Sequence, residues 1–243
     1  MSARSLPSRD ARAGFVLHSY PFRETSLIVE AFTRDHGRIA LVARGARRPR
    51  SSLRGVLSPF QPLLLSWSGK AELRTLIRAE SRNGYLALEG ETLMCGFYLN
   101  ELLLKLLPRD DPHERLYDTY ESTLAGLAAG PEREGILRRF ELRLLEELGY
   151  AVTLDRDADS GAAIVAQRRY VYLVERGPVE AETPKSAKGV ELSGATLLDM
   201  QSGNYESAVT QQQSKTLMRT LIDHYLGRQV LHTRQMLREL QDL

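Results

Sequence analysis

Five short segments with strand-like alternation lie within the first 80 residues of the chain. Apolar and polar residues alternate with period two in 15–20, 26–33, 38–44, 61–67 and 72–80. Such alternation is typical of β-strands with one buried face. Five strands this short and this close together predict a small barrel, most commonly the oligonucleotide-binding (OB) barrel. An SH3-like barrel has a similar strand count, and periodicity does not separate the two.

A dense basic stretch follows the third predicted strand. Residues 38–54, RIALVARGARRPRSSLR, contain six arginines and no acidic residue. They are Arg38, Arg44, Arg47, Arg48, Arg50 and Arg54. Folding does not require such a cluster, because like charges held close together repel each other. A polyanion such as a nucleic-acid backbone would relieve the repulsion and release counterions. A solvated, mobile loop is the alternative interpretation, and the stretch alone does not decide between them.

Further candidates for nucleic-acid contact lie elsewhere in the predicted barrel. Arg74 and Arg78 fall in the fifth predicted strand, and the alternation places both on one face. Tyr20 and Phe22 bracket Pro21 in a predicted loop, 21–24, between the first two strands. Aromatic rings beside basic groups are typical of single-strand binders, in which bases stack on the rings. The alternative is that Phe22 plugs the barrel.

The formal net charge of +2 hides an asymmetry along the chain. Residues 1–85 contain 15 Lys and Arg against 6 Asp and Glu, a local charge of +9. Residues 86–243 contain 18 against 25, a local charge of −7. A basic front and an acidic back indicate two bodies with different partners, and a polyanion would bind the front.

The second part of the chain has helical periodicity. Helices are predicted for 91–107, which stops before Pro108, for 113–128, for 132–148, for 206–226 and for a short segment from Thr233. We therefore predict an α+β protein. Its parts are a flexible tail (1–12), an OB-type barrel (13–85), a helical domain (86–150, completed by 206–243) and a small irregular lobe (151–205).

The third predicted helix contains a second candidate site. Leu142 and Leu145 form an apolar stripe separate from the main core stripe, and Arg138 lies beside it. A guanidinium next to an apolar groove suits a peptide that ends in an apolar residue and a carboxylate. The alternative, which the residues alone favour, places both leucines in the core and pairs Arg138 with a local acid.

Catalytic and metal-binding motifs are not found in the sequence. The five histidines form no metal-binding spacing, and no nucleophile elbow or phosphate loop is present, so we expect a binding protein rather than an enzyme. Residues 155–161 begin like a calcium loop, but Ser160 and Ala166 occupy its glycine and acid positions. We predict no cofactor and no metal.

The composition predicts a cytoplasmic location. Cys95 is the single cysteine, so no disulfide can form within the chain. No apolar run is long enough to span a membrane, and the first residues have no secretory apolar segment.

Long motifs then give the chain a family resemblance. RETSLIVEAFT, ARGARRPRS, GFYLNELLLKLL and RRFELRLLEELGY occur in this order within 13–150. Together they resemble RecO, a bacterial family of DNA repair and recombination mediators. The resemblance implies an OB barrel, a helical domain and a small lobe resembling a zinc finger. It also implies annealing of single strands without ATP, contact with single- and double-stranded DNA, and work with RecR to load RecA onto DNA coated by single-stranded DNA-binding protein (SSB). A nucleoid-associated location follows from such a role.

The resemblance also carries site residues. Its DNA-binding loop matches Arg44, Arg47, Arg48 and Arg50. Its site for the acidic, Phe-ended SSB tail matches Arg138 and Arg139, with Arg138 as the expected carboxylate ligand. Some members carry four zinc-binding cysteines in the third lobe, whereas 151–205 contains none, so we expect no zinc here.

Two other functions fit parts of the sequence. The helical body could be the working surface of an adaptor, with the barrel only a platform and DNA binding weak and insensitive to salt. An OB barrel with basic loops could also bind RNA. The charge asymmetry favours DNA binding over the adaptor, and the sequence does not separate DNA from RNA.

Overall fold

The computed structural model describes residues 11–82, 86–130, 132–150, 152–181 and 189–241. Contacts divide the chain into two compact units, 1–129 with 231–243 (unit 1) and 130–230 (unit 2). The boundary near residue 130 falls inside the predicted helical domain, 86–150, and the predicted domain limits remain predictions. Most of the predicted tail, 1–12, lies outside the described residues.

Unit 1 begins with a closed five-stranded barrel, as predicted. Its strands are β1 (Arg12–Phe22), β2 (Ser26–Thr33), β3 (Gly37–Ala43), β4 (Leu63–Ser68) and β5 (Leu73–Ser81). They close in the order β1-β2-β3-β5-β4, with β3 parallel to β5 and the other pairs antiparallel. This crossover is a Greek key of the OB type, and it separates the OB barrel from a simple meander. A short helix that the alternation did not predict, α1 (Leu53–Val56), lies between β3 and β4.

Inward-facing aliphatic side chains fill the barrel. The core includes Val16, Val29, Leu41, Leu63 and Leu65, all at most 1% exposed. These positions alternate with outward ones along each strand, so the period-two pattern is the cause of the closed core. The first strand is longer than predicted, because 21–22 pair with 26–27 in β2 and only 23–25 form the turn.

Helices complete unit 1. They are α2 (Gly90–Leu106), α3 (Glu114–Ala129) and, at the end of the chain, α7 (His232–Gln241). The outer face of the barrel meets α3 through Phe15 and Phe32, which contact Tyr117 and Tyr120 at ring separations of 5.1–6.1 Å. The turn after α2 packs on Gly37, where a Cβ atom would lie 1.9 Å from the Asp111 carbonyl oxygen. Only glycine fits this close approach.

Unit 2 combines helices with a small sheet. It contains α4 (Arg133–Glu147), β6 (Arg169–Leu173), β7 (Gly177–Glu180), β8 (Val190–Ser193), α5 (Gly194–Ser202) and α6 (Ala208–Leu226). The strands form an antiparallel sheet in the order β7-β6-β8. Its core joins Tyr170 and Leu192 of the sheet to Leu197, Leu217 and Leu221 of the helices. The third lobe is therefore more regular than the irregular lobe predicted for 151–205.

None of the helices within the described ranges is long and apolar enough to cross a membrane.

Candidate nucleic-acid interface

The basic stretch forms the exposed connection between β3 and β4. β3 ends at Ala43, and the arginines that follow project from the loop and from α1. Arg44, Arg47, Arg48, Arg50 and Arg54 are all exposed. None of the five forms a salt bridge with another described residue, whereas most arginines elsewhere in unit 1 do. Five exposed cations without carboxylate partners produce a positive surface available to a polyanion.

The loop is fixed at its base although its arginines are exposed. Ala46 is 1% exposed and packs in the barrel core. The Arg47 N–H donates to the Thr25 carbonyl at 2.9 Å, and the Arg47 guanidinium donates to the carbonyls of Arg23 and Glu24 at 3.4 and 3.3 Å. The β3–β4 connection is therefore docked on the β1–β2 turn, which positions the two loops side by side.

Two predicted DNA ligands, Arg38 and Arg74, have hydrogen-bond or ion-pair partners within unit 1. Arg38 donates to the Leu107 carbonyl at 3.0 Å and to Glu30, which is 5% exposed, at 3.1 Å. Arg109 binds the same Glu30 carboxylate. The Arg74 side chain is 14% exposed and pairs with Asp110. Both guanidinium groups bind the segment after α2 and so attach it to the barrel. Whether Arg38 and Arg74 also contact DNA stays a prediction.

A β-bulge separates Arg74 from Arg78. The pairing of β4 with β5 shifts between Ser66–Arg78 and Trp67–Leu76. Leu76 and Ala79 consequently both face the barrel core, although three positions separate them. An extra residue reverses the alternation, so Arg74 and Arg78 lie on opposite faces and the prediction of a shared face is wrong. Arg78 is exposed and donates to Glu80 at 2.5 Å.

The aromatic candidates lie at the β1–β2 hairpin. Tyr20 is 46% exposed, and Phe22 is partly buried at the end of β1. Arg23, which the sequence reasoning did not single out, holds its guanidinium 5.2 Å from the centre of the Phe22 ring. The only signal for Arg23 was its position in the turn directly after Phe22. Phe22 is not a barrel plug, because it lies on the outer face of β1.

The arginine pair on α4 has a different environment from the one predicted. Arg138 is 8% exposed and donates to Glu141, which is fully buried, at 2.6 Å. Leu145 is fully buried in the core of unit 2, and Leu142 packs against that core. The expectation of an exposed guanidinium beside an open apolar groove is therefore wrong, and the alternative of a core stripe with a local ion pair describes the geometry. Whether α4 binds a tail peptide stays a prediction.

Arg139 lines a cleft of about 560 Å³ in unit 2. It donates to the Gly203 carbonyl at 2.9 Å, and its guanidinium lies 5.8 Å from the centre of the Tyr205 ring. Burial raises the pKa of Tyr205 to about 12, so the phenol is neutral near pH 7. Three carboxylates share the cleft with Arg139, those of Glu132, Glu134 and Glu206. An acidic peptide would therefore be attracted only at Arg139 itself.

Comparisons with known proteins match two family models to this chain, and the boundary between them near residue 86 lies within unit 1. The model of the recombination protein O N-terminal domain matches residues 11–85, and that of the C-terminal domain matches residues 87–237. A DNA repair protein RecO from Nitrosospira multiformis is 56% identical over 97% of both chains. Proteins of the same name from Aromatoleum aromaticum and Thiobacillus denitrificans are each 54% identical, over at least 96% of each chain. The chain belongs to the recombination protein O family. Membership supports a role in DNA repair and recombination.

The residues of the third lobe do not fit the zinc site that the family resemblance implies for some members. It has no cysteine, and the residues described contain no group of three metal-binding side chains. Asp157, which is 5% exposed, accepts hydrogen bonds from the N–H groups of Asp159, Ser160 and Glu180 and from the Ser160 hydroxyl, at 2.6–3.0 Å. Both carboxylate oxygens are occupied by donors. Asp157 thus joins the turn at Ser160 to the end of β7.

Proposed function

We propose that this protein binds single-stranded DNA on the barrel of unit 1 and promotes the annealing of complementary strands. The observation that carries the proposal is the exposed set of five arginines on the β3–β4 connection, with no carboxylate partner among the described residues. The role is one of binding rather than catalysis, and it requires no cofactor.

The proposed mechanism is charge neutralisation. Two single strands repel each other through their phosphates, and this repulsion slows the first pairing contacts. Arginines that bind the phosphates release counterions and lower the repulsion, so complementary segments meet more often. Double-stranded DNA can bind the same arginines, because phosphate contacts carry no sequence or strand information.

Family membership supports further partners. We propose that the protein works with RecR, contacts the acidic tail of SSB through α4, and so helps to load RecA onto coated single strands. A cytoplasmic location at the nucleoid follows from these partners. Arg139 is the exposed member of the arginine pair and is therefore the better candidate for the tail carboxylate.

The test is a salt titration of binding to a labelled single strand. The affinity of the wild type should fall steeply with salt, with a log–log slope of about −0.7 for each phosphate contact. The log–log slope of the double variant Arg48→Ala, Arg50→Ala should be less steep than that of the wild type by about 1.4. Arg156→Ala is the matched control, because Arg156 is an exposed arginine of unit 2 that pairs with Asp155.

Each outcome of the titration has a defined meaning. An unchanged slope in the double variant, with normal wild-type binding, rejects the loop as the phosphate site. Weak, salt-insensitive wild-type binding rejects the DNA-binding proposal and favours an adaptor. Tighter binding to RNA than to DNA of the same sequence would favour an RNA-binding role.

A further inference from the structure

The second half of β1 presents its rings to the outside because of a β-bulge. The pairing with β2 shifts between Val16 and His18, so that Leu17 is an extra residue. Before the bulge, Val16 faces the barrel core opposite Ala31. Without the bulge, alternation would turn positions 18, 20 and 22 inward as well. With it, the rings of His18, Tyr20 and Phe22 share the outer face.

A buried side chain holds the bulge in place. Asn100 on α2 is 2% exposed and donates to the carbonyl of Leu17 at 2.9 Å. Its own carbonyl accepts the hydroxyl of Tyr120, at 2.5 Å. The extra residue is thus bonded to the helices of the same unit, and the outward direction of the rings is a fixed property of the fold.

Neighbouring groups contact both ends of the line of rings formed by His18, Tyr20 and Phe22. The His18 ring meets the Tyr20 ring edge-on at a centroid separation of 4.4 Å. At the other end, Arg23 adopts a positive φ of 52° and covers Phe22. The Arg47 guanidinium binds the carbonyls of Arg23 and Glu24 and so fixes the turn. A non-glycine residue in this conformation persists only where its surroundings enforce it.

Single and double strands differ in the access that they give Tyr20 and Phe22 to the faces of bases. Bases in a duplex are covered by their neighbours and must be unstacked before a ring can reach their faces. The bases of an extended single strand are open to stacking on aromatic rings.

We infer that Tyr20 and Phe22 are stacking platforms that select unpaired bases, and that Arg47 acts as a positioning residue for them. The inference rests on the proposed DNA-binding function. The exposed Arg44, Arg48 and Arg50 bind the phosphates of single and double strands alike, while the two rings add affinity for single strands only. Arg47 acts through its hydrogen bonds to the turn as well as through its charge.

The test compares an oligothymidylate single strand with a duplex of equal length, by fluorescence anisotropy at one salt concentration. Tyr20→Ala and Phe22→Ala should each weaken single-strand binding by about 5- to 150-fold. Duplex affinity should stay within about twofold of the wild type, and the salt slope should not change, since no charge is lost. Ile77→Ala is the control, because Ile77 is 66% exposed on β5 of the same barrel.

Arg47→Lys tests the positioning role, because lysine keeps the charge but removes the guanidinium Nη1 that donates to the carbonyls of both Arg23 and Glu24. It should weaken single-strand binding and leave duplex affinity and the salt slope unchanged. Equal weakening of both DNA forms by the ring variants or by Arg47→Lys overturns the corresponding part of the inference, as does no change at all. If the ring variants fail in this way while Arg48→Ala, Arg50→Ala still lowers the salt slope, the proposed function stands without the stacking platforms.

Discussion

Arg138 and Arg139 are adjacent on α4 and have opposite surroundings. Arg138 is buried against Glu141, whereas the Arg139 side chain is 43% exposed. Arg138→Glu would place two carboxylates together in the core, so we expect it to lower the free energy of unfolding by about 3–5 kcal/mol. Arg139→Glu should cost less than about 1 kcal/mol. Urea denaturation measures both values.

The same pair of variants tests tail binding at the residue level. A peptide with an acidic, Phe-ended tail should lose affinity for Arg139→Glu while that variant remains folded. If Arg138→Glu unfolds unit 2, its loss of peptide binding says nothing about the binding site. Arg138→Met keeps the length of the side chain and removes its charge. It is therefore the better variant to compare with Arg139→Glu. An Arg138→Glu protein as stable as the wild type would contradict the buried ion pair.

Among the secondary-structure elements, strand β7 depends on Asp157 for its outer edge. The carboxylate accepts the Glu180 N–H at the end of β7 and also caps the turn at Ser160. Hydrogen bonds to a charged acceptor contribute about 1.5–3 kcal/mol each in mutational series. We therefore expect Asp157→Asn to lower the free energy of unfolding by about 2 kcal/mol at pH 7, measured by urea denaturation. Asp223→Asn, an exposed acid of the same unit, should change it by less than about 0.5 kcal/mol.

The pH dependence of this effect has a definite sign. Burial alone would raise the pKa of Asp157, but hydrogen bonds from Ser160, Glu180 and Asp159 outweigh it and hold the pKa below its ordinary value. A depressed pKa in the folded state stabilises the fold above the unfolded-state pKa, near 3.9 or so. The difference in the free energy of unfolding between the wild type and Asp157→Asn should thus be at its full value at pH 7 and decrease below about pH 4. A difference that grew on acidification would contradict the assignment.

At the scale of the whole molecule, the sequence predicted elements better than it predicted their details. Period-two and helical patterns located all five barrel strands and the main helices, because burial of one face imposes those periods. A β-bulge interrupts the period-two alternation without a local sequence signal. For this reason the prediction that Arg74 and Arg78 share a face was wrong. The sheet of unit 2 was largely missed because β7 and β8 have four residues each, and β7 contains Gly177 and Pro178. Partners of arginines such as Arg38 depend on distant segments and could not be predicted locally.

The last helix of the chain, α7, belongs to unit 1, and a carboxylate of α2 accepts hydrogen bonds from its first residues. α6 belongs to unit 2, but α7 packs on α2 of unit 1. Glu101 of α2 accepts the N–H groups of His232 and Thr233 and the Thr233 hydroxyl, at 2.7–2.9 Å. Burial would raise the pKa of Glu101, yet the hydrogen bonds from Thr233 and His232 bring it below its ordinary value, so the group is ionised near pH 7.

A carboxylate that caps a distant helix makes the docking of that helix depend on one residue. The first N–H groups of α7 have no acceptors within the helix. The Glu101 carboxylate on α2 accepts their hydrogen bonds and so caps α7. We expect Glu101→Ala to release α7, so that its backbone amides exchange with deuterium at least about tenfold faster, as a loss of about 1.4 kcal/mol or more would cause. Barrel amides should keep their protection. Glu91→Ala removes an exposed acid from the same helix and should leave α7 unchanged. Unchanged exchange in Glu101→Ala would show that the other contacts of α7, such as that of Arg234 with Tyr98, hold the helix without its cap.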